Sequence, residues 1–282
     1  MVISSYISQI QNYRKEGYSL REIADLLPVS YSTVRNYCKS VQMTERGRKR
    51  FQSIVPGTVK HVSVKKGLPD EKIRIIANLL FDGSVFRSKY HYGVMYVNSS
   101  DELTELMRND IRKICGLEAH EEQINGKVGT YSKIRYFSRI LYDDLLSHFP
   151  EFSTSSENCE LPCWVMGGSK QIKKIFLQAF WENEGSISKD GTLSADLKNK
   201  KVIEQLSKLH IDFGLKHYIS VYQKNGLAFK LILNRNKENY LNFFSLGFFD
   251  LSTVTKGYFI RKKKIDVLRQ YLQERSWIEG NI

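Results

Sequence analysis

IRIIANLLFDGS, residues 73–84, and IFLQAFWENEGS, residues 175–186, are the stretches on which the reading of this chain turns. Laid over one another 102 positions apart, Ile73 meets Ile175, Ala77 meets Ala179, Asp82 meets Glu184, Gly83 meets Gly185 and Ser84 meets Ser186. Each reads as an apolar helix that ends in an acid followed by glycine. Glycine after a helix is ordinary, because it accepts the backbone turn that ends one. A carboxylate there is not, because it faces the negative end of the helix dipole. An unfavourable placement made twice implies a use, and a divalent cation held jointly by Asp82 and Glu184 supplies one.

Outward from each copy the pattern continues in the same order. After Asp82, Val85 and the Tyr- and Val-rich run from Tyr90 to Val97 read as a hairpin. Ser99 or Ser100 then caps an amphipathic helix that Gly116 stops, Asn125-Gly126 turns a second hairpin, and a helix follows from Ser138 or Arg139 to His148. The second half gives a helix over 170–184, a hairpin turned at Asp190-Gly191, a helix over 200–213, strands over 216–222 and 227–233 around Lys224-Asn225-Gly226, and a helix over 237–246. A long basic helix over 255–274 has no counterpart in the first half. Polar, turn-rich residues 151–169 read as a tether between the halves.

Toward the amino terminus, residues 3–13 carry apolar groups at helical spacing and Gly17 closes the segment. The next stretch, SLREIADLLPVSYSTVRNYCKS over 19–40, holds a capping box, Ser19 with Glu22 three residues on, above a stripe of Ile23, Ala24 and Leu27. Pro28 ends that helix, and Ser30 or Ser32 caps a second one. A short helix, a tight turn and a helix with small polar and basic groups at its start is helix-turn-helix arithmetic. The segment resembles the helix-turn-helix of resolvase and sigma-factor type, which implies Tyr31, Ser32, Thr33, Arg35 and Asn36 on or near DNA. A small dimerisation or protein-binding module has the same outline. Residues 44–66, TERGRKRFQSIVPGTVKHVSVKK, lack sustained periodicity. There Arg46, Arg48, Lys49 and Arg50 around Gly47 read as a flexible basic arm for phosphates or a narrow groove, and a solvated linker reads much the same.

Lysine and arginine number 43 against 30 acids, a formal charge of +13 in 282 residues, so a polyanion is the first partner to consider. Cys159 and Cys163 are the only close pair of the four cysteines and lack nearby histidines, so reduced thiols are expected rather than a zinc site. No apolar run approaches the roughly 18 residues that span a bilayer, and the first residues lack a basic region followed by an apolar core. The expectation is a soluble protein of the cytoplasm or of an organelle, with no membrane partner.

The doubled motif resembles that of the single-chain LAGLIDADG homing endonucleases, whose nine-residue signature matches IIANLLFDG at 75–83 and LQAFWENEG at 177–185. The resemblance covers roughly residues 71–274. It implies an α+β fold of two pseudo-symmetric αββαββα domains, 70–150 and 170–282, joined by a linker over 151–169 and forming an antiparallel-sheet saddle on DNA. Here the saddle follows a small all-α helix-turn-helix over 1–45 and a basic linker over 46–69. It further implies that the motif helices pack through the small Ala77 and Ala179, and that Asp82 and Glu184 hold magnesium, or manganese in its place, at the scissile phosphates. Lys133 and Lys230 are the nearest candidates for the family's catalytic lysine.

The open sheet faces would read duplex DNA through Arg87, Lys89, His91, Gln123, Lys127, Lys133 and Arg135 in the first half. The second half offers Lys189, Lys198, Lys216, His217, Gln223, Lys224 and Lys230. A one-residue slip exchanges the faces of a strand, so which alternate set points outward stays open. Two motifs in one chain make a monomer sufficient, with no obligate protein partner. Two departures stand out: Phe81 and Asn183 occupy a motif position that is generally small, and Glu184 replaces aspartate. The alternatives on the same fold are a DNA-binding regulator that no longer cuts, and an RNA maturase using the basic surface. A protein-splicing element is not expected, since no splicing domain is read around the core.

Overall fold

The computed structural model describes residues 4–54, 62–88, 91–126, 129–223, 226–255 and 257–279. The chain forms two compact units, 1–61 and 62–282. Among the described residues, no helix is long and apolar enough to cross a membrane.

The first unit holds α1 (Ser4–Lys15), α2 (Leu20–Leu26), α3 (Tyr31–Cys38) and α4 (Glu45–Ile54). Ile10, Ile23, Leu27, Val34 and Cys38 form its core. The capping box at α2 is complete, with the Ser19 hydroxyl accepting from the Glu22 N–H at 3.2 Å and the Glu22 carboxylate accepting from the Ser19 N–H at 2.7 Å. Ser30, not Ser32, caps α3. The basic stretch read as a flexible arm is instead helical over α4 and belongs to this unit. Gly47 is the reason that reading failed. A Cβ on Gly47 would lie 2.0 Å from the Lys15 carbonyl oxygen, and one on Gly17 would lie 1.9 Å from that of Gly47. The glycine is there for close docking of backbones rather than for looseness. Arg50 is drawn inward as well, 3.4 Å over the Tyr18 ring and 3.7 Å from Glu22.

The second unit begins with α5 (Asp70–Asp82), β1 (Gly83–Arg87), β2 (Tyr92–Asn98), α6 (Asp101–Cys115), β3 (His120–Gly126), β4 (Gly129–Phe137) and α7 (Arg139–His148). After a short α8 (Cys163–Met166), the order recurs as α9 (Lys170–Glu184), β5 (Gly185–Ile187), β6 (Leu193–Leu197), α10 (Lys200–Asp212), β7 (His217–Gln223), β8 (Leu227–Leu233) and α11 (Lys237–Ser245); α12 (Lys264–Glu274) follows. Both sheets are antiparallel, ordered β1-β2-β4-β3 and β5-β6-β8-β7. Side chains of Ser100, Ser138, Ser169, Asn199 and Asn236 cap five of the helices.

Helices α5 and α9 are apolar nearly all round because each packs on its own sheet and on the other helix. Ala77 and Ala179 are both buried in this packing. Next to them the pseudo-symmetry is broken in a complementary way. Asn183 Nδ2 donates to Asn78 Oδ1 at 2.8 Å, whereas the Phe81 and Phe180 rings meet at 5.5 Å. The 102-residue offset makes Asn78 equivalent to Phe180 and Phe81 equivalent to Asn183. One crossing contact is therefore polar and its symmetry mate aromatic, and the bulk of Phe81 and Asn183 is absorbed by matched partners.

Two elements differ from expectation. Gly126 pairs with Gly129, so Asn125 and Gly126 end strand β3 instead of forming the turn. The basic helix expected over 255–274 starts only at Lys264. Gly257 and Arg261 take left-handed backbone, with φ of 87° and 69°, and a bridge between Thr253 and Lys263 makes a strap of the described residues between them.

Beneath α9 the Trp181 indole N–H donates to His210 Nε2 at 2.9 Å, which leaves His210 Nδ1 to carry the proton donated to the Leu206 carbonyl at 2.7 Å. Complete burial pushes the His210 pKa down from 6.5 to about 3. Between these values the unfolded chain binds a proton that the folded chain does not, so stability rises with pH through the window and is lost as pH falls. This residue is expected to remove about 2 kcal/mol between pH 6.5 and pH 5. Denaturation midpoints of the parent and His210→Gln at both pH values check this, with the slope difference vanishing in the variant.

Candidate active site at the paired helix ends

The last turns of α5 and α9 set Asp82 and Glu184, both half-buried, in one cavity of about 940 Å³. Asn98, Asn183, Glu182, Ser252, Arg261 and Lys264 also line it. Asn98 Nδ2 donates to Asp82 Oδ2 at 2.9 Å and reaches Asn183 Oδ1 at 3.1 Å, where the Tyr96 hydroxyl also donates at 2.8 Å. One hydrogen-bonded chain thus runs from Asn78 on α5 through Asn183 on α9 to Asp82. By contrast, no described residue donates a hydrogen bond to the Glu184 carboxylate.

Read from sequence alone, Lys264 is one more charge of the basic helix over 255–274. Its ammonium is buried and donates to the carbonyl oxygens of Glu182 at 2.8 Å and Trp181 at 3.4 Å, the unfilled acceptors of the last turn of α9. A cation there offsets the helix dipole and resolves the puzzle of an acid at that helix end. Glu182, 2 % exposed, accepts the backbone N–H groups of Leu251 and Ser252 at 2.9 and 2.8 Å. The network was hidden because Lys264 lies 80 residues beyond Glu184, inside what reads as an ordinary amphipathic helix.

Burial raises the Asp82 pKa to about 6, against the pull of Lys264 and the Asn98 bond. Burial, and then the charge of Asp82, raises that of Glu184 to about 8. Burial pushes Glu182 up and Lys264 down. Two adjacent carboxylates that resist ionisation are a fitting seat for a divalent cation, which would relieve both causes at once. Among the described residues, no group of three or more His, Cys, Asp or Glu side chains forms a ready metal cage. Magnesium sites commonly use one or two carboxylates and complete themselves with water and substrate phosphate.

No family model matches the chain, and no curated protein sequence does. Among solved structures, I-DmoI in complex with DNA and calcium is similar with a TM-score of 0.50 at 15% identity, over 71% of this chain and 97% of that one. The second unit shares the fold of I-DmoI. Lower similarity extends to I-WcaI bound to its DNA recognition sequence, with a TM-score of 0.46 at 16% identity over 64% of this chain and 82% of that one. Full-length DUF199/WhiA from Thermatoga maritima has a TM-score of 0.46 at 15% identity, over 78% and 65%.

Within this fold the register decides which strand residues share a face, because directly paired residues do. Lys133 pairs with Val97 and Lys230 with Asp196, each one step beyond the partner of the motif glycine, so the two lysines occupy equivalent positions. Neither lines the acid cavity. Lys133 is 3.8 Å from Glu122, which also pairs with Arg135, and Lys230 is 3.5 Å from Asp196. Arg87 falls on the opposite face, 5.3 Å over the Tyr92 ring, and Gln123 turns to the Ser132 hydroxyl at 2.8 Å. His217 likewise faces helix α10, bonded to Ser207 at 2.6 Å. Those three do not belong to the open faces. Instead Phe86, His91 and His120 surround a 40 % exposed Phe137 on the open face of the first sheet, ring centroids 5.2 to 6.0 Å away.

Lys189 and Lys198 are exposed, Lys216 is 3.7 Å from Glu238, and Gln223 is exposed at the end of β7. In the first unit Tyr31, Ser32, Arg35 and Asn36 are exposed on α3 and Thr33 is half-buried; Arg46 and Arg48 are exposed on α4. Lys89, Lys127, Lys224 and the Lys49 side chain lie outside the described residues.

Proposed function

We propose that this protein is a divalent-metal-dependent DNA endonuclease of the homing type, cutting both strands of duplex DNA at a long target. The observation that carries this reading is the convergence of one motif acid from each half, Asp82 and Glu184, on a single cavity where both resist ionisation. These two would hold magnesium, or manganese in its place. Such an ion neutralises a phosphodiester, lowers the pKa of water and stabilises the leaving oxygen. Asn98 fixes the Asp82 carboxylate, Lys264 keeps positive charge under the acids, and Lys133 and Lys230 contribute charge from equivalent sheet positions. The open sheet faces take the duplex through basic and aromatic side chains, and α3 with Arg46 and Arg48 adds a second DNA contact. The +13 charge brings the polyanion to both units.

The raised pKa values give this site a proton signature. From about pH 4.5 to 8 the folded, metal-free protein holds protons on Glu184 that the unfolded chain has released, so that contribution to stability falls as pH rises. A bound cation must displace them. Magnesium binding at pH 7 is therefore expected to release about one proton and to tighten toward pH 8. Titration calorimetry in two buffers of different ionisation enthalpy measures this.

A second reading, a regulator that binds duplex without cutting, is favoured by one observation: the Lys264 ammonium already supplies positive charge beneath the acids. Incubation with a randomised duplex library in magnesium, followed by sequencing of retained and cleaved molecules, separates the two. Staggered cuts at one long preferred site support the endonuclease. Selective retention without cuts, indifferent to metal, supports the regulator.

A further inference from the structure

The strap between Ser252 and Lys264 is fastened at both ends to the last turn of α9. Glu182 accepts the N–H groups of Leu251 and Ser252, while Lys264 returns with its backbone N–H to the Ser252 carbonyl at 2.9 Å and its ammonium to the Glu182 carbonyl. It is also tied to the first half, through Ser100 Oγ donating to the Leu251 carbonyl at 2.6 Å and through Lys263 and Glu102 at 2.8 Å. A segment held in this way has a fixed aim.

What it aims is Arg261. The Arg261 N–H donates to the Val254 carbonyl at 2.8 Å, and the Val254 N–H donates to the Lys262 carbonyl at 2.8 Å. Two residues of one arm thus oppose one of the other, a bulge whose first residue is left-handed and is normally glycine. Here that position, at φ 69°, holds an arginine that lines the cavity shared by Asp82 and Glu184. Among the described residues no acceptor lies within hydrogen-bonding distance of its guanidinium. An unfavourable residue at a fixed, site-facing position, with its donor fork unfilled, points to a ligand. The guanidinium fork matches the two free oxygens of a phosphodiester.

We propose that Arg261 binds the phosphodiester presented to Asp82 and Glu184, and that it serves one DNA strand in preference to the other. The asymmetry follows from the fold, since the strap belongs to the second half and the first half has no equivalent among the described residues. On the same strap, Tyr258 is 72 % exposed with Lys189 Nζ 4.7 Å from its ring centre. This inference rests on the endonuclease reading.

The test uses the full chain with Arg261→Gly and Arg261→Lys, on a supercoiled plasmid bearing the target recovered by selection. Glycine suits the left-handed bulge, so Arg261→Gly is expected to melt at or above the parent temperature and to bind duplex in calcium within a few-fold of it. In magnesium it is expected to accumulate nicked plasmid, with one strand cut at least tenfold more slowly than the other, and Arg261→Lys to recover part of that rate. Parent-like linearisation by Arg261→Gly, or equal slowing of both strands, overturns the assignment of Arg261 while leaving the endonuclease standing. A parent protein that cuts no duplex overturns both.

Discussion

Asp82→Asn is expected to bind its duplex target as the parent does and to cut it on the order of a thousandfold more slowly. The amide keeps the shape of the carboxylate and an oxygen to accept from Asn98, so the hydrogen-bonded chain to Asn183 and Asn78 survives. What disappears is the charge that holds the cation, and metal stabilisation of a phosphoryl transition state is worth several kcal/mol, each 1.4 kcal/mol being about tenfold in rate. Glu184→Gln is expected to behave alike, although Glu184 starts mostly protonated near neutrality. A cation displaces a proton from glutamate but gains nothing from the amide, and raising the pH does not rescue the variant. Single-turnover cleavage in magnesium, set beside duplex binding in calcium, measures both quantities. Cleavage within tenfold of the parent in either variant would place the chemistry on other residues.

The largest loss of stability is expected from Lys264→Met, about 3–5 kcal/mol. Methionine fills the volume but leaves the Trp181 and Glu182 carbonyls without their donor, and it leaves Glu182, Asp82 and Glu184 without the buried positive charge that offsets them. Glu182→Gln in the same chain removes the most buried of those carboxylates while keeping an acceptor for the Leu251 and Ser252 N–H groups. The double variant is therefore expected to recover about 1–3 kcal/mol relative to additivity. Denaturant midpoints of the four proteins give the coupling. A strictly additive cycle would show that the Lys264 charge does not offset the Glu182 carboxylate.

The doubled motif was legible because it combines two constraints a sequence displays directly. All-round apolar helices and glycine-flanked acids recur at one spacing, and each is followed by strand and cap signals of the expected order. Ser19 and Ser100 could be read as caps because a cap acts on residues two or three positions away. Lys264 and Glu182 could not be read, because their partners are backbone groups brought together by the tertiary fold. The strap was misread as helix for a related reason. Its apolar residues follow a helical period, and the bridge from Thr253 to Lys263 that overrides it joins residues ten apart. Arg87, Gln123 and His217 show the limit of reading a strand by composition, since the face of each is fixed only by its cross-strand partner. Gly47 was read as looseness, yet its use is contact with Gly17 across a helix junction.

Asp82 and Glu184 are proposed to form one metal centre on bound duplex. The most direct test is the anomalous scattering of manganese in crystals of the protein with its selected target. A manganese signal in contact with both carboxylates and with a backbone phosphate of the duplex is the predicted result. Duplex seated on the sheets with no manganese between the two acids, under conditions that saturate exposed sites, would contradict it and make the cavity a relic on a DNA-binding protein.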